Sequence, residues 1–313
     1  MSPFSHQPVL LAEVLEALRP RDGGRYVDGT TGGAGHAAAI LKASSPTGWL
    51  CGFDRDADAI AAARQELQPF EGRFELHQAN FDDMSRWVEA GSCDGVLLDL
   101  GVSSHQLDEA VRGFSFQQDG PLDMRMDRRQ GLTAADLVNE ADESELARLL
   151  WELGEEPQSR RIARWLVRER RNQRWETTGQ LVRGMERMAP RRGQKRHPAT
   201  RVFMALRMAV NDEVDSLKRG LAAACSRLRE GGRLAVITFH SIEDRIVKHF
   251  GMEHTRAYRV EGPVDRPEFR LPRPAPLVWV WKKPVTAGAE ELAANPRARS
   301  AKLRVVERTA APF

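Results

Sequence analysis

The sequence predicts an α/β protein, an open and largely parallel sheet interrupted by an all-helical insertion. Two observations carry this. Three short runs rich in β-formers, 25–28, 49–54 and 95–99, each stop at an aspartate and lead into a loop. Runs of that kind alternating with helical stretches imply βαβ units and a parallel sheet. From about Leu107 to Met208 the alternation stops and only helical periodicity remains.

Each element follows in order. Apolar residues at helical spacing over 7–18, with Glu13 and Glu16 outward, predict a leading helix. A strand at 24–28 turns through a Gly-rich loop into a helix over 34–43. A strand at 48–54 leads to an Ala-rich helix over 57–67, followed by strands at 73–77 and 94–99. The insertion reads as helices over 133–139, 143–153, 157–171 and 178–188. Pro190 and Pro198 then bracket a basic loop, and 199–228 reads as helix, broken near Asn211. Gly231-Gly232 closes that helix and opens a strand over 233–239. Late strands are expected at 277–281 and 303–306. The expected domains are the first part of the sheet domain (1–107), the helical insertion (108–208) and the second part of the sheet domain (209–313).

Composition narrows the class. Cys51, Cys93 and Cys225 form no CxxC pair and no framework, which fits a reducing compartment. No basic-then-apolar leader and no apolar run of about 18 residues is present, so the expectation is a soluble, cytoplasmic protein with no membrane partner. The formal net charge of +3 hides an asymmetry. Between Gln158 and Arg207 there are 15 Lys/Arg and 3 Asp/Glu, a balance of +12; the remainder carries 32 against 41, or −9. A basic block on an acidic protein points to a polyanion, most simply nucleic acid, or else to a solvated helical face.

The chemistry concentrates at strand ends. In an open α/β sheet, ligands bind outside the carboxyl ends of the strands, so Asp28, Asp54 and Asp99 mark one candidate site. A helix N-cap explains one such aspartate but not three at matching ends. The loop Asp28-Gly29-Thr30-Thr31-Gly32-Gly33-Ala34-Gly35-His36 has four glycines in the seven positions 29–35, which permits tight turns and close ligand approach. Asp54 follows Gly35 by 19 residues and suits the two hydroxyls of a ribose. Two nucleoside cofactors compete. Gly33-Ala34-Gly35-His36-Ala37-Ala38 satisfies GxGxxA, which keeps a nicotinamide dinucleotide in play. An acid at the first strand end sits badly beside a pyrophosphate and suits the sulfonium and ammonium of S-adenosylmethionine. Phe81, just after the third strand, fits either an adenine face or a buried core. Asp99 leads into Gly101, Ser103, Ser104, His105 and Gln106, a loop able to approach a ligand. No His, Cys or Asp spacing makes a metal site, and no Walker loop or nucleophile elbow occurs. The segment 112–127 mixes aromatics, acids and arginines in a way packing does not demand. Aromatic and arginine planes are what a splayed-out base stacks on.

Gly-Phe-Ser-Phe…Asp-Gly-Pro-Leu-Asp-Met-Arg-Met-Asp over 113–127 resembles the signature of the bacterial small-subunit rRNA N4-cytidine methyltransferases, the RsmH (MraW) family. So do 28–36, 97–104, His197-Pro198-Ala199-Thr200-Arg201, Phe239-His240-Ser241-Ile242-Glu243-Asp244-Arg245 and Asn295-Pro296-Arg297-Ala298-Arg299-Ser300. The resemblance spans about His6 to Thr309. It implies a class I S-adenosylmethionine-dependent methyltransferase (Rossmann-like) fold with an inserted all-helical domain. It also implies N4-methylation of a cytidine, position 1402, in the decoding region of 16S rRNA. Cofactor contacts carried over by motif are Ala34, Gly35, His36, Asp54, Phe81, Asp99 and Gln106, with Gly33 beside them in the loop. Asp99 and Ser103 are the expected catalytic residues. Arg160, Arg161, Arg191, Arg192, Lys195, Arg196, Arg201 and Arg207 are the expected RNA contacts. The partner would be 16S rRNA, the small ribosomal subunit or its assembly intermediate; a homodimer is compatible with the sequence but not encoded in any motif. Two departures stand out. Met204 occupies the place of an expected glutamine, and Asp99-Leu100-Gly101-Val102 is not the Asp/Asn-Pro-Pro-aromatic motif common among amino-methyltransferases acting on bases.

Overall fold

A computed structural model describes residues 8–129, 131–188 and 197–313. The chain divides into two compact units, Met1–Gly101 with Asp215–Phe313, and Val102–Val214. In chain order the first unit opens with α1 (Leu11–Leu18), β1 (Arg25–Asp28), α2 (Gly35–Ala43), β2 (Trp49–Asp54), α3 (Ala57–Glu66), β3 (Phe74–Gln78) and β4 (Cys93–Asp99). The second unit carries α4 (Ser104–Asp108), α5 (Ala134–Glu140), α6 (Glu143–Glu152), α7 (Ser159–Glu169), α8 (Thr178–Met188) and α9 (Ala199–Val210). Helix α10 (Glu213–Arg227) leads back to β5 (Leu228–Thr238), α11 (Ser241–His254), β6 (Tyr258–Val260), β7 (Arg270–Pro272), β8 (Leu277–Trp279), α12 (Ala289–Ala294) and β9 (Lys302–Arg308). No helix is long and apolar enough to cross a membrane among the described residues.

Seven strands form one sheet in the order β3-β2-β1-β4-β5-β9-β8. Strands β1 to β5 are parallel, and β9 and β8 close the far edge antiparallel. The strand order reverses between β1 and β4, where an open α/β sheet forms its ligand crevice. Both faces are covered, so the central strands are continuous apolar runs. Successive side chains leave on opposite faces. Tyr26, Leu50, Leu97 and Ile237 share one core with residues of α1 and α2, while Val27, Phe53, Leu98 and Val236 share another with residues of α10 and α11.

Strand β5 begins earlier than the sequence predicts. Leu228 pairs with Cys93 and the next pair is Gly95 with Arg233, so the Gly231-Gly232 turn lies inside the strand as an irregularity. Gly231 has φ 75°, a left-handed value that a side chain would strain. Helix α11 and the β6–β7 hairpin are absent from the sequence reading. The signal for α11 was present: Glu243 reaches back from the third helical position to cap its start, and Ile242, Ile246 and Phe250 repeat at helical spacing. The cap residue is His240 rather than the usual Ser, Thr, Asp or Asn. The hairpin strands are three residues each and barely buried, so no alternation announces them.

The helical unit packs Leu146, Leu150, Ile162, Leu166, Leu181, Val202 and Leu206 into one core. Contrary to what its composition suggests, the segment 112–127 does pack into that core. Phe114, Leu122 and Met124 are buried in that core, and Phe116 packs edge-on against Phe203 at 4.9 Å. Arg112 is buried and donates to the carbonyls of Arg125 and Met126, both at 3.1 Å. The Asn211 side chain accepts from Met126 N–H at 2.8 Å and donates to the Met124 carbonyl at 2.7 Å. A chain without regular secondary structure must find partners for its buried backbone groups, and these two side chains supply them.

Candidate active site

Asp54, Asp28 and Asp99 end three adjacent strands, β2, β1 and β4. Their heights differ. Asp28 is level with Gly52 and Leu97, so Asp54 and Asp99 each reach two residues further, about 7 Å at a strand's rise. Asp28 is therefore recessed between them and buried. Its Oδ1 accepts from Thr30 N–H at 3.1 Å, and its carbonyl accepts from the Thr31 hydroxyl at 3.2 Å. It shapes the turn. A Cβ on Gly29 would lie 2.5 Å from Leu98 Cδ2 and 2.9 Å from Phe81 Cβ, so only a glycine lets the loop leave β1 so close to β4.

The same loop fixes Asp54. Gly32 N–H donates to Asp54 Oδ2 and Asp56 N–H to Oδ1, both at 2.9 Å. A carboxylate has about four lone-pair sites, so both oxygens retain capacity for ribose hydroxyls. Ala34 takes φ 63° and starts α2, whose first-turn amides have no acceptor within the helix.

At Asp99 the geometry calls for a donor. Asp99 N–H is held by Thr30 Oγ1 at 2.6 Å, but carboxylate Oδ1 is buried without a hydrogen-bond partner. Oδ2 lies 3.7 Å from His36 Nδ1. His36 Nε2 is 3.0 Å from the Val9 carbonyl, which requires the proton on Nε2 and leaves Nδ1 as an acceptor. Burial pushes His36 down to about 4, so the ring is neutral. Two acceptors thus face each other beyond hydrogen-bond reach.

Burial also raises the acids. Asp28 is pushed up to about 7 by burial, opposed by the Thr30 amide and reinforced by Asp54. Asp54 is pushed up to about 6 by burial, opposed by the Asp56 and Gly32 amides. Asp99 stands well above the carboxylate range through burial, then the charges of Asp28 and Glu243. Such a cluster favours a cation or a polydentate donor and disfavours a pyrophosphate. The ammonium, sulfonium and ribose hydroxyls of S-adenosylmethionine fit this donor-seeking set; a nicotinamide dinucleotide does not.

Thr30 and Glu243 are site residues the sequence reading missed. Glu243 is buried, and its Oε2 accepts from Phe239 N–H at 2.8 Å. Phe81 is buried, with its ring against Gly220 of α10, so it serves the core between sheet and helix. Gly33 lies half-buried in the loop. Ser103 and Gln106 belong to the helical unit. There they form a reciprocal cap on α4, with Gln106 N–H donating to Ser103 Oγ at 3.2 Å and Ser103 N–H to Gln106 Oε1 at 3.1 Å. No buried thiol competes as a nucleophile, since burial pushes Cys51 up to about 12.

The expected RNA-facing arginines separate into groups. Arg160, Arg161 and Arg201 are exposed. Arg207 instead grips Glu213 with two hydrogen bonds of 2.8 and 2.7 Å and is largely buried, which neutralises it. Arg170, part of the same basic block, donates to the Val138 and Ala141 carbonyls at 2.8 and 2.7 Å and so closes the end of α5. Arg191, Arg192, Lys195 and Arg196 lie outside the described residues.

A doubly wound sheet with this donor-seeking acid cluster at its switch point defines a Rossmann-like methyltransferase of class I. Comparison with known proteins places it further: the chain belongs to the MraW methylase family, whose model matches residues 3–309. A ribosomal RNA small subunit methyltransferase H from Citrifermentans bemidjiense is 52% identical over 98% of this chain and 100% of its own. One of the same description from Geobacter sulfurreducens is 53% identical over 97% of this chain and 99% of its own. The chain is a methyltransferase of this family.

Proposed function

We propose that this enzyme methylates the exocyclic N4 of one cytidine, position 1402, in the decoding region of 16S rRNA. S-adenosyl-L-methionine supplies the electrophilic sulfonium methyl. The observation that carries the cofactor side is the buried Oδ1 of Asp99, which has no partner, on a carboxylate whose Oδ2 stands 3.7 Å from the acceptor nitrogen of neutral His36. Asp54 holds the ribose with lone pairs left after Gly32 and Asp56 have oriented it. Gly33, Ala34 and Gly35 provide backbone at the start of α2.

Cytosine N4 is a poor nucleophile because its lone pair is delocalised into the ring. Rate must come from near-attack placement and from acceptors for its N–H groups as positive charge develops. Asp99 ends the strand at the crevice and has the free acceptor, so it orients the amine rather than serving as a formal base; the ammonium product is acidic enough to lose its proton readily. Arg160, Arg161 and Arg201 are exposed cations suited to phosphates, giving salt-dependent and largely sequence-blind affinity. The reaction belongs in the cytoplasm, where the small subunit and its assembly intermediates are found. Mass mapping of 16S rRNA from cells with and without this gene tests the reading: one cytidine should lose the mass of one methyl group. An unchanged map, or a loss at another base, rejects it.

A further inference from the structure

A groove of about 890 Å³ runs along the helical unit between α6 and the start of α7. One wall is the α6 stripe Ser144, Ala147, Arg148 and Trp151; the other carries Arg160, Arg161 and Arg164. Trp151 is 61% exposed, although α6 buries Leu146, Leu149 and Leu150 on another stripe. The core therefore does not require an indole at this position, and its face is left open to the groove. The charge around it is one-sided. Four arginines and a single acid, Glu143, line the groove. Arg148 meets Glu152 at 2.8 Å and Arg164 meets Glu143 at 3.4 Å, exposed pairs that bind weakly. Arg161 donates to two neutral acceptors, Gln158 Oε1 and the Met188 carbonyl, so its charge is not cancelled.

We propose that this groove seats an unpaired stretch of the RNA substrate, one base stacked on Trp151 and the adjoining phosphates on Arg160 and Arg161. An exposed aromatic platform beside uncancelled guanidinium groups is how single strands are held without sequence preference. The assignment rests on the rRNA reading above, and it adds a site outside the crevice at the strand ends.

The test uses the full chain, a fluorescein-labelled single-stranded RNA of mixed sequence, and the variants Trp151→Ala, Trp151→Phe and Arg160→Ala. Trp151→Ala should weaken binding about tenfold or more, while Trp151→Phe retains most of it. Arg160→Ala should reduce the slope of log affinity against log salt by about 0.7. All three should bind S-adenosylhomocysteine like the wild type, which reports an intact fold. Wild-type enzyme that methylates 16S rRNA, with Trp151→Ala binding RNA equally tightly, overturns the groove and leaves the rRNA reading standing. Wild-type enzyme that neither binds nor methylates the RNA overturns both. If Trp151→Ala weakens binding of a poly-glutamate peptide but not of RNA, the groove belongs to an acidic protein instead.

Discussion

At the scale of single residues, the three strand-end aspartates divide by height and by partners. Asp28 is recessed and committed to its turn. Asp54 is oriented by two amides. Of the three, Asp99 alone has a fully buried carboxylate oxygen with no hydrogen-bond partner. Truncating Asp54 to Ala should therefore weaken S-adenosylhomocysteine about 10- to 100-fold, the range for hydrogen bonds to a charged group; calorimetric titration measures it. For Asp99→Asn, an orienting role predicts a fall of about 10²–10³ in single-turnover methyl transfer, exceeding any loss of cofactor affinity measured alongside. Reduced affinity with an unchanged transfer step would defeat that role. The grouping of the three carboxylates was legible in the sequence, because a carboxylate ending an apolar run is a local signal. Glu243 was not. It approaches Asp99 only through the fold, from the start of a helix 144 positions later in the chain (243 − 99).

At the scale of elements, polar side chains do work that the sequence made look like surface chemistry. Asn211 stands where α9 stops, and it also ties down the 124–126 backbone. Asn211→Ala leaves the buried Met124 carbonyl and the half-buried Met126 N–H without these partners, which costs about 1–3 kcal/mol for the buried group. Chemical denaturation should show that loss in the helical unit's transition, with S-adenosylhomocysteine affinity the control. Arg170 and Arg207 teach the same lesson with charge. A run of basic residues announces a solvated or polyanion-binding face, yet the fold spends one arginine on helix-end carbonyls and another on a glutamate. Composition counts such residues alike, and only tertiary neighbours tell them apart. Periodicity, by contrast, located α5 to α9 because each buries a stripe in one shared core.

At the scale of the whole molecule, the acid cluster sets a pH dependence. Asp28 and Asp54 titrate near 7 and 6 in the folded protein against an ordinary value of 3.8. Between those limits the folded state holds more protons than the unfolded chain, so their contribution to stability falls as pH rises. The melting temperature of the cofactor-free enzyme should therefore decline from about pH 4 to about pH 7 through these groups. Asp28→Asn should flatten the decline. Cofactor affinity should run the other way, increasing across the same interval as the acids ionise to meet a cation. A melting profile that rises steadily with pH in both proteins would contradict this.

The interruption of the sheet also has a temporal side. Strand β4 ends at Asp99 and its neighbour β5 begins at Leu228, 129 positions later (228 − 99). At about 5–20 residues per second, translation leaves roughly 6–26 seconds between the two. During that interval β1 to β4 have emerged with one row of backbone donors and acceptors on β4 still waiting for β5. The contiguous helical unit ends at Val214, 14 positions before β5 begins (228 − 214). A nascent chain of this enzyme thus carries a transient bare edge, the kind of surface on which chaperones act and stalled chains aggregate.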